Sequence, residues 1–353
     1  MNHPFTFDPL PEPVVDPGEF RFAAVGLDHG HIYGMTDGLI GAGAEVGVVF
    51  DTDPERAADF VKRYPTARIA ASEQEVLDDT DVRLVATAAI PSDRAPIALR
   101  AIEAGKHAFV DKGPFTTLEQ LAAAREATAR TGLKYAVYYG ERLHTESTVL
   151  ASQLIERGAI GRVLQVASFG PHRVGGGRPD WFYDKDRYGG ILCDIGSHNF
   201  DQILHYTGAT GGRILSATVA NYAHPETPGL EDFGDAHVVL DNGASGYVRV
   251  DWFTPDGLGV FGDGRTLVLG TDGYIELRKY IDIGTDNGGS QVLLVNQEGQ
   301  YRFNASGMTG FPYFGQLIRD CLDGTENAMT QEHAFAAADL TLQAQASAQV
   351  LAP

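Results

Sequence analysis

The run GGILCDIGSHNFD, residues 189–201, places a carboxylate and an imidazole four residues apart. On a helix, Asp194 and His198 would lie on one face, one turn apart, with Asp201 on nearly the same face. A carboxylate beside an imidazole holds a histidine ready for proton transfer near neutral pH. The alternative is a helix that carries an Asp–His pair at its exposed start, and this stretch alone does not decide between the two interpretations.

A second candidate site lies in the turn after the apolar run RFAAVGL, in the first third of the chain. A dinucleotide-binding turn usually has the pattern G-x-G-x-x-G, in which glycines allow a tight turn and close approach of a pyrophosphate. Here Gly26 occupies the first position, Asp28 and His31 occupy the other two, and Gly30 precedes His31. A carboxylate near a pyrophosphate is repulsive unless it turns away or is neutralised. A turn that binds no dinucleotide therefore stays open as the alternative.

The run DHGH, residues 28–31, also has the residue types of a metal site, because an Asp and a His-x-His pair offer three ligands. No further Cys or His cluster is visibly paired with this run in the sequence. We therefore predict no metal and assign His29 and His31 to the wall of a cofactor or substrate site.

Asp51 stands at the end of the second predicted strand. An acidic side chain there accepts a hydrogen bond from a ribose 2′-hydroxyl and repels a 2′-phosphate, which favours NAD over NADP. The alternative is a carboxylate at the start of a helix, since Asp53 and Pro54 also suit a helix N-terminus.

Lys112 follows the predicted strand in EAGKHAFVDKGPF, at the carboxyl edge where ligands bind in parallel sheets. A lysine there can donate to a substrate oxygen and to a nicotinamide ribose, whereas the alternative is a solvated loop lysine. The residues predicted to bind the cofactor are Gly26, His29, Gly30, His31, Asp51, Ala88, Asp111 and Lys112.

The elements that must position these groups change character along the chain. Strand and helix signals alternate over residues 21–142, which predicts a doubly wound parallel sheet of the Rossmann type. Strand-like runs with Asn-Gly and Asp-Gly turns follow, which predicts an α/β domain with a large, mainly antiparallel open sheet and a C-terminal helix. The predicted divisions are a Pro-rich arm (1–20), an NAD(P)-binding domain (21–142) and a substrate-binding and oligomerisation domain (143–353).

Composition excludes several classes of partner. The 353 residues carry a net charge of −20, which disfavours nucleic acid and anionic membranes. No apolar run approaches the roughly 20 residues that span a bilayer, and the N-terminus lacks the pattern of a secretory signal. Two cysteines make no disulfide framework, so we expect a cytoplasmic protein.

Together these motifs resemble the Gfo/Idh/MocA oxidoreductases, the family of glucose–fructose oxidoreductase and inositol dehydrogenase. The resemblance runs from about Arg21 to the end and rests on EAGKHAFVDKGPF, ERGAIG and GGILCDIGSHNFD. It implies hydride transfer between a nicotinamide and a hydroxyl-bearing carbon, often of a sugar, cyclitol or related polyol. It also implies a homo-oligomer formed through the open C-terminal sheet.

The resemblance assigns catalytic roles to three residues. His198 would take the hydroxyl proton, Asp194 would orient His198 or a substrate hydroxyl, and Lys112 would steady the developing carbonyl oxygen. Two departures affect the usual Glu-Lys-Pro motif: Asp111 replaces the glutamate, and Gly113 is inserted before the proline. We expect the turn after the strand to be altered, and with it the reach of Lys112.

The loop of residues 169–190 mixes glycines with aromatic and basic side chains that suit a sugar. Its predicted substrate-binding residues are Arg173, Trp181, Tyr183 and Lys185, together with Asp194 and His198, and the alternative is a surface loop packed by its own aromatics. Two other functions stay open: an NAD-assisted glycoside hydrolase, and a non-catalytic ligand-binding member with a degraded dinucleotide loop.

Overall fold

A computed structural model describes residues 4–285 and 288–352. The chain divides into two compact units between Tyr138 and Tyr139, near the predicted boundary at residue 142. The parallel-sheet unit comprises residues 11–138 and also 312–335, a segment that the sequence analysis assigned to the second domain. The antiparallel-sheet unit comprises residues 4–10, 139–311 and 336–352.

The secondary structure alternates strands and helices up to Tyr138 and is rich in strands after Gly212. The strands are β1 (Arg21–Val25), β2 (Glu45–Phe50), β3 (Arg68–Ile69), β4 (Val82–Thr87), β5 (His107–Asp111), β6 (Tyr135–Tyr138), β7 (Val163–Pro171), β8 (Gly212–Ala220), β9 (Phe233–Leu240), β10 (Ser245–Asp251), β11 (Arg265–Gly270), β12 (Gly273–Arg278), β13 (Gln291–Asn296), β14 (Gly299–Asn304) and β15 (Gln349–Val350). The helices are α1 (His31–Gly41), α2 (Pro54–Arg63), α3 (Glu73–Asp78), α4 (Pro91–Glu103), α5 (Leu118–Thr131), α6 (Gly140–Leu143), α7 (Glu146–Glu156), α8 (Lys185–Tyr188), α9 (Ile191–Asp194), α10 (Gly196–Thr207), α11 (Tyr313–Asp323) and α12 (Gln331–Ser347).

The first sheet has the order β3-β2-β1-β4-β5-β6, and its strands are parallel. This order reverses direction between β1 and β4, and dinucleotides bind in such sheets at the carboxyl ends of the strands beside that reversal. The interiors of β1, β2 and β5 are apolar and buried, as two-sided burial requires. The predicted doubly wound parallel sheet is confirmed.

Local chemistry sets the helix ends in this unit. The Asp53 carboxylate accepts from the Glu55 amide at the start of α2, and the Thr117 hydroxyl caps α5 by accepting from the Gln120 amide. Helix α5 ends where Gly132 adopts a φ of 71°, a conformation that glycine allows without a steric penalty.

The second sheet has the order β14-β13-β12-β11-β7-β10-β9-β8-β15. Its pairs are antiparallel except β7 with β10 and β8 with β15. The Asn-Gly turn joins β9 to β10, and the Asp-Gly turn joins β11 to β12. The mainly antiparallel sheet is therefore confirmed, and α10 packs on β7 and β10.

The helix that carries the Asp–His motif differs from the prediction of one continuous helix. Asp194 is the last residue of the short helix α9, and His198 lies in the first turn of α10 after a break at Ile195. Ile195 itself keeps right-handed helical dihedrals (φ −85°, ψ −42°), and its amide donates to the Ile191 carbonyl at 3.0 Å. The spacing of Asp194 and His198 therefore stays close to one helical turn.

The N-terminal arm has no regular secondary structure over residues 5–14. Its first part belongs to the antiparallel-sheet unit, where Phe5 meets the rings of Tyr301 and Phe303 edge-on and Asp8 pairs with Arg157. None of the helices in the part of the chain that the structure describes is long and apolar enough to cross a membrane.

Gly26, which directly follows β1, allows a test of the backbone geometry of the β1–α1 loop. Its φ is +71°, and an added Cβ would lie 2.7 Å from the Ala89 Cβ. We expect Gly26→Ala to lower the free energy of unfolding by about 2–4 kcal/mol, because strain and overpacking combine. Urea unfolding measures the change.

Gly30→Ala is the matched control, since Gly30 has a φ of −60° and an added Cβ meets nothing within 4 Å. Its free energy of unfolding should stay within about 0.5 kcal/mol of wild type. Equal destabilisation by the two substitutions would contradict the assigned backbone geometry.

Candidate active site

Three loops meet at the carboxyl edge of the parallel sheet. The loop between β1 and α1 is tied to the end of β4, because the Ala88 amide donates to the Gly26 carbonyl at 3.1 Å and the His29 amide donates to the Ala88 carbonyl at 2.8 Å. Ala88 and Ala89 are buried against this loop. Of the predicted cofactor residues, Gly26, His29 and Ala88 therefore lie together at the reversal point of the sheet.

The start of α1 has the properties of an anion site. The N-cap residue Gly30 has no side chain, the first turn holds no acidic residue, and the surface at Gly30 is open. The His31 amide donates to His29 Nδ1 at 3.3 Å, so a neutral imidazole rather than a carboxylate lies at this helix start. Helix N-termini with accessible backbone bind phosphate groups in dinucleotide-binding folds. The loop therefore fits the pyrophosphate of a nicotinamide dinucleotide despite the two missing glycines.

The carboxylate of Asp28, which replaces a glycine, is neutralised by an arginine. Arg56 contacts Asp28 at 3.1 Å and Asp51 at 3.1 Å, and Asp53 lies 3.8 Å from it. Asp51 is turned inward: one oxygen accepts from the Leu27 amide at 2.6 Å, and the side chain is 1% exposed. The structure thus places Asp51 beneath the loop as a support, with Asp28 and Arg56 beside it.

Asp111, at the end of β5, is the centre of a polar cluster in this unit. Its Oδ1 accepts from the Lys112 amide at 2.7 Å and lies 2.8 Å from His31 Nδ1. Its Oδ2 lies 3.0 Å from the Arg94 guanidinium and 3.1 Å from His29 Nδ1. One fully buried carboxylate therefore joins the β1–α1 loop, the β5 turn and helix α4.

Burial and neighbouring charges fix the protonation of this cluster. Desolvation, helped by His31, lowers the pKa of His29 to about 4. The pKa of Asp111 is held well below its usual range, because its interactions with His31 and Arg94 and its hydrogen bond with His29 outweigh its burial. At neutral pH the carboxylate is ionised and His29 is uncharged.

The ligand atoms of His29, His31 and Asp111 lie within 4.8 Å of one another, a spacing that also suits a small cation. However, Arg94 already pairs with this single carboxylate, and the charge of Lys112 acts on His29. A dication here would meet two positive charges and one carboxylate, which disfavours binding. The absence of a metal remains our prediction.

Arg94 is a buried residue of this site that is not among the residues predicted from the sequence. It is 1% exposed, and its guanidinium donates to the carbonyls of Ala89, Lys112 and Gly113. Gly113, the inserted residue, has a φ of 65°. Arg94 therefore holds the altered turn after β5 and fixes the backbone of Lys112.

The second group of predicted residues lies in the antiparallel-sheet unit. Asp194 and His198 are both buried, at 8% and 3% exposure, and the Ser197 hydroxyl donates to the Asp194 carbonyl at 2.9 Å. Asp201 forms two bonds of 2.7 Å with the Arg142 guanidinium. Asp201 is thus engaged in a buried ion pair, whereas the motif residues Asp194 and His198 lie where α9 meets α10.

The four loop residues predicted to bind substrate have contacts within their own unit. Arg173 donates to the carbonyls of Pro255 and Leu258, both at 2.7 Å, and Lys185 pairs with Glu231. Trp181 and Tyr183 both lie against the ring of Phe182. Arg173 and Lys185 hold the loop, and their part in substrate binding remains a prediction.

Arg178, in the same loop, was not among the predicted site residues. Its guanidinium stacks over Phe182 at 4.6 Å, Trp252 at 5.4 Å and Phe261 at 5.5 Å. Burial lowers the pKa of Arg178, and the charge of Asp194 opposes that shift. A cation lined by aromatic rings therefore lies near the Asp–His motif. The sequence could not reveal this contact, because Trp252 and Phe261 are distant from Arg178 in sequence.

Residues 20–139 match the model of an oxidoreductase family with an NAD-binding Rossmann fold. Residues 148–276 match the GFO/IDH/MocA C-terminal domain. The chain belongs to the GFO/IDH/MocA oxidoreductases. The predicted family is confirmed, and the protein is an oxidoreductase with a dinucleotide-binding domain.

Individual relatives agree with this assignment. A solved structure from Erwinia carotovora atroseptica SCRI1043, described as an oxidoreductase, is 50% identical with a TM-score of 0.92, over 95% of this chain and 100% of that chain. The scyllo-inositol 2-dehydrogenase (NAD(+)) of Bacillus subtilis is 26% identical over 79% of this chain and 80% of its own length. Levoglucosan dehydrogenase of Pseudarthrobacter phenanthrenivorans is 30% identical, but the match spans 58% of this chain and 53% of that protein.

The lowered pKa of His29 predicts a pH dependence of stability. Between its unfolded pKa of 6.5 and its folded pKa of about 4, the unfolded state binds more protons than the folded state. The free energy of unfolding should therefore fall as the pH is lowered through this window, with His29 contributing up to about 3 kcal/mol at pH 4. Urea unfolding at about pH 7, 5.5 and 4.5 measures the slope.

His29→Asn should flatten this slope, and the rest should persist because His107 also has a pKa lowered to about 4 by burial. A His107→Asn variant gives the matched comparison in the same sheet. A His29→Asn protein with the full wild-type slope would contradict the lowered pKa of the partly buried His29.

Proposed function

We propose that the protein is an NAD-dependent dehydrogenase or reductase that acts on a hydroxyl or keto carbon of a sugar, cyclitol or related polyol. The observation that carries the proposal is the Asp111 cluster. It holds the backbone of Lys112, whose ammonium is a hydrogen-bond donor, beside the β1–α1 loop at the carboxyl edge of the six-stranded sheet. Membership of the oxidoreductase family supports the reaction type.

Each site residue has a distinct role in this proposal. A bound nicotinamide supplies the hydride acceptor, as in other dinucleotide oxidoreductases. His198 accepts the proton of the substrate hydroxyl, and Asp194 orients the imidazole or a neighbouring hydroxyl. Lys112 donates to the oxygen that becomes the carbonyl and so stabilises the charge that develops there. In reduction, His198 returns the proton to the same oxygen.

Cofactor preference follows from the charges around Arg56. Arg56 lies beside the β1–α1 loop, and its guanidinium contacts Asp28, Asp51 and Asp53. A 2′-phosphate would need an arginine with free donors, whereas here three carboxylates repel an added dianion. We therefore assign NAD rather than NADP.

The proposed substrate class rests on the Asp–His motif, on the aromatic rings near it and on the names of two relatives. The relatives reported above are named for oxidation of an inositol and of levoglucosan. Aromatic rings beside Arg178 supply surfaces that suit the C–H faces of a ring with many hydroxyls. We assign a neutral sugar or cyclitol to this site.

Two further assignments belong to the same proposal. Leu267, Leu269 and Tyr274 leave an apolar strip exposed on β11 and β12, and a second copy of the sheet would cover it in a homo-oligomer. Cys193 and Cys321 are free thiols, as a reducing cytoplasm permits.

Substitution of the donor and of the base tests the roles. We expect Lys112→Ala and His198→Ala each to lower kcat by about 10²-fold or more, because each removes a group that acts on the reacting oxygen. NADH formation is followed with myo-inositol, scyllo-inositol, levoglucosan and D-xylose as substrates. Lys62→Ala, at an exposed position, is the control. Unchanged turnover in both variants would contradict the assigned roles, and glycoside cleavage without NADH formation would favour the hydrolase alternative.

Asp28→Asn tests the cofactor assignment. Wild type should use NAD with a kcat/KM about tenfold or more above that for NADP. Loss of one carboxylate partner of Arg56 should lower this ratio severalfold, since the guanidinium then has donors for a 2′-phosphate. Asp59→Asn, which removes an exposed carboxylate paired only with Lys62, should leave the ratio unchanged. Equal use of both cofactors by wild type would contradict the assignment.

A further inference from the structure

A buried ion pair in the antiparallel-sheet unit has no place in the roles assigned so far. Glu141 lies in α6 and Lys279 directly follows β12, and the lysine ammonium donates to Glu141 Oε2. The two side chains are 6% and 0% exposed. Removing two charges from water is costly, so such a pair contributes little to stability by itself and suggests another use.

One oxygen of this pair remains without a donor. Glu141 Oε1 is buried, and no residue in the described ranges donates a hydrogen bond to it. His172 Nε2 lies 3.7 Å from this oxygen, beyond hydrogen-bond distance. A buried carboxylate oxygen without a donor is uncommon because the loss of its hydration is not offset. The geometry therefore calls for a donor that the protein chain does not supply.

His172 is held in a fixed orientation beside this oxygen. Its Nδ1 lies 3.1 Å from the Gly170 carbonyl, and because a carbonyl only accepts, Nδ1 carries the proton. Trp252 and Phe261 contact the imidazole edge-on, with ring centroids at 5.7 and 5.4 Å. The same two rings stack under Arg178. An apolar wall thus adjoins the carboxylate.

The cluster also lies next to the proposed base. The pKa of Glu141 is held below its usual range because the charges of Lys279, His198 and His172, in that order, outweigh its burial. The carboxylate is therefore ionised at neutral pH and acts only as an acceptor. Its neighbours connect it both to His198 and to the aromatic wall.

We propose that Glu141 Oε1 accepts a hydrogen bond from a substrate hydroxyl, while Trp252 and Phe261 cover the C–H face of the same ring. The ligand class is a neutral polyol, because a fixed carboxylate repels the acid group of a uronic or aldonic acid. Lys279 is a positioning residue that holds the carboxylate in place. This inference rests on the proposed function, and it specifies a residue that binds a substrate hydroxyl.

The test combines a substitution in the protein with deletion of hydroxyls from the substrate. Glu141→Gln keeps the shape of the side chain and removes its charge. Since hydrogen bonds to charged groups are worth more than neutral ones, we expect the KM for the preferred polyol of the panel to rise about tenfold, with the KM for NAD unchanged. One monodeoxy analogue should show a much smaller difference between wild type and variant, and it identifies the hydroxyl that Glu141 contacts.

Asp320→Asn is the matched control. It also converts a buried carboxylate to an amide, but Asp320, in the last turn of α11, accepts from Thr325, Asn327 and Ala328 in the segment after that helix. It should lower the melting temperature and leave the polyol KM within about twofold. If the unpaired Lys279 unfolds the Glu141→Gln protein, the double variant E141Q/K279M removes both charges and gives the same measurement.

The outcomes separate the subsite from the proposed function. A rise in KM that is equal for all monodeoxy analogues means that Glu141 acts on the fold or through an ordered water, and it overturns the subsite alone. A change no larger than that of Asp320→Asn does the same. Failure of wild type to bind or oxidise any polyol of the panel overturns the subsite and the proposed substrate class together.

Discussion

The ion pairs and hydrogen bonds of one buried carboxylate hold together the loops at the carboxyl edge of the parallel sheet. Asp111 holds nitrogen atoms from the β1–α1 loop, the β5 turn and α4 within about the length of a hydrogen bond. These segments are distant in sequence, so their arrangement depends on this tertiary contact rather than on local preference. Without Asp111, the β1–α1 loop would lose its contacts with this carboxylate through His29 and His31. The Lys112 amide would lose its hydrogen-bond acceptor.

This arrangement accounts for a loop that keeps one of the three fingerprint glycines in a domain that matches an NAD-binding Rossmann family. Gly26 keeps the position where a side chain would meet Ala89. The other two positions hold Asp28 and His31, and each has a charged partner: Arg56 for the first and Asp111 for the second. Both side chains are thus held by polar contacts, whereas the usual fingerprint relies on small residues at these positions.

The fold followed from the sequence where the signals are local, and the site only in part. Strand runs, Asn-Gly turns and the Thr117 cap are set by neighbouring residues, and the structure contains them. Helix α11, the strand β3 and the break at Ile195 were not predicted, because tertiary packing decides them. Arg94 and Glu141 read as ordinary charged helix residues, since nothing in their neighbours shows that the fold buries them. Their roles became visible only through contacts across the sequence.

Asp111 and Glu141 show how a structural carboxylate differs from one that is left for a ligand. Both are buried, both are held by a buried cation, and both face histidines. Around Asp111, each oxygen has two nitrogen atoms within 3.1 Å, so the protein itself balances the charge. Around Glu141, Lys279 takes one oxygen and the other has no donor within hydrogen-bond distance. The difference between the two sites is therefore one of distance: nitrogen atoms lie within 3.1 Å of Asp111 Oδ2, whereas His172 Nε2 lies 3.7 Å from Glu141 Oε1. This longer distance leaves space for the hydroxyl that we propose Glu141 binds.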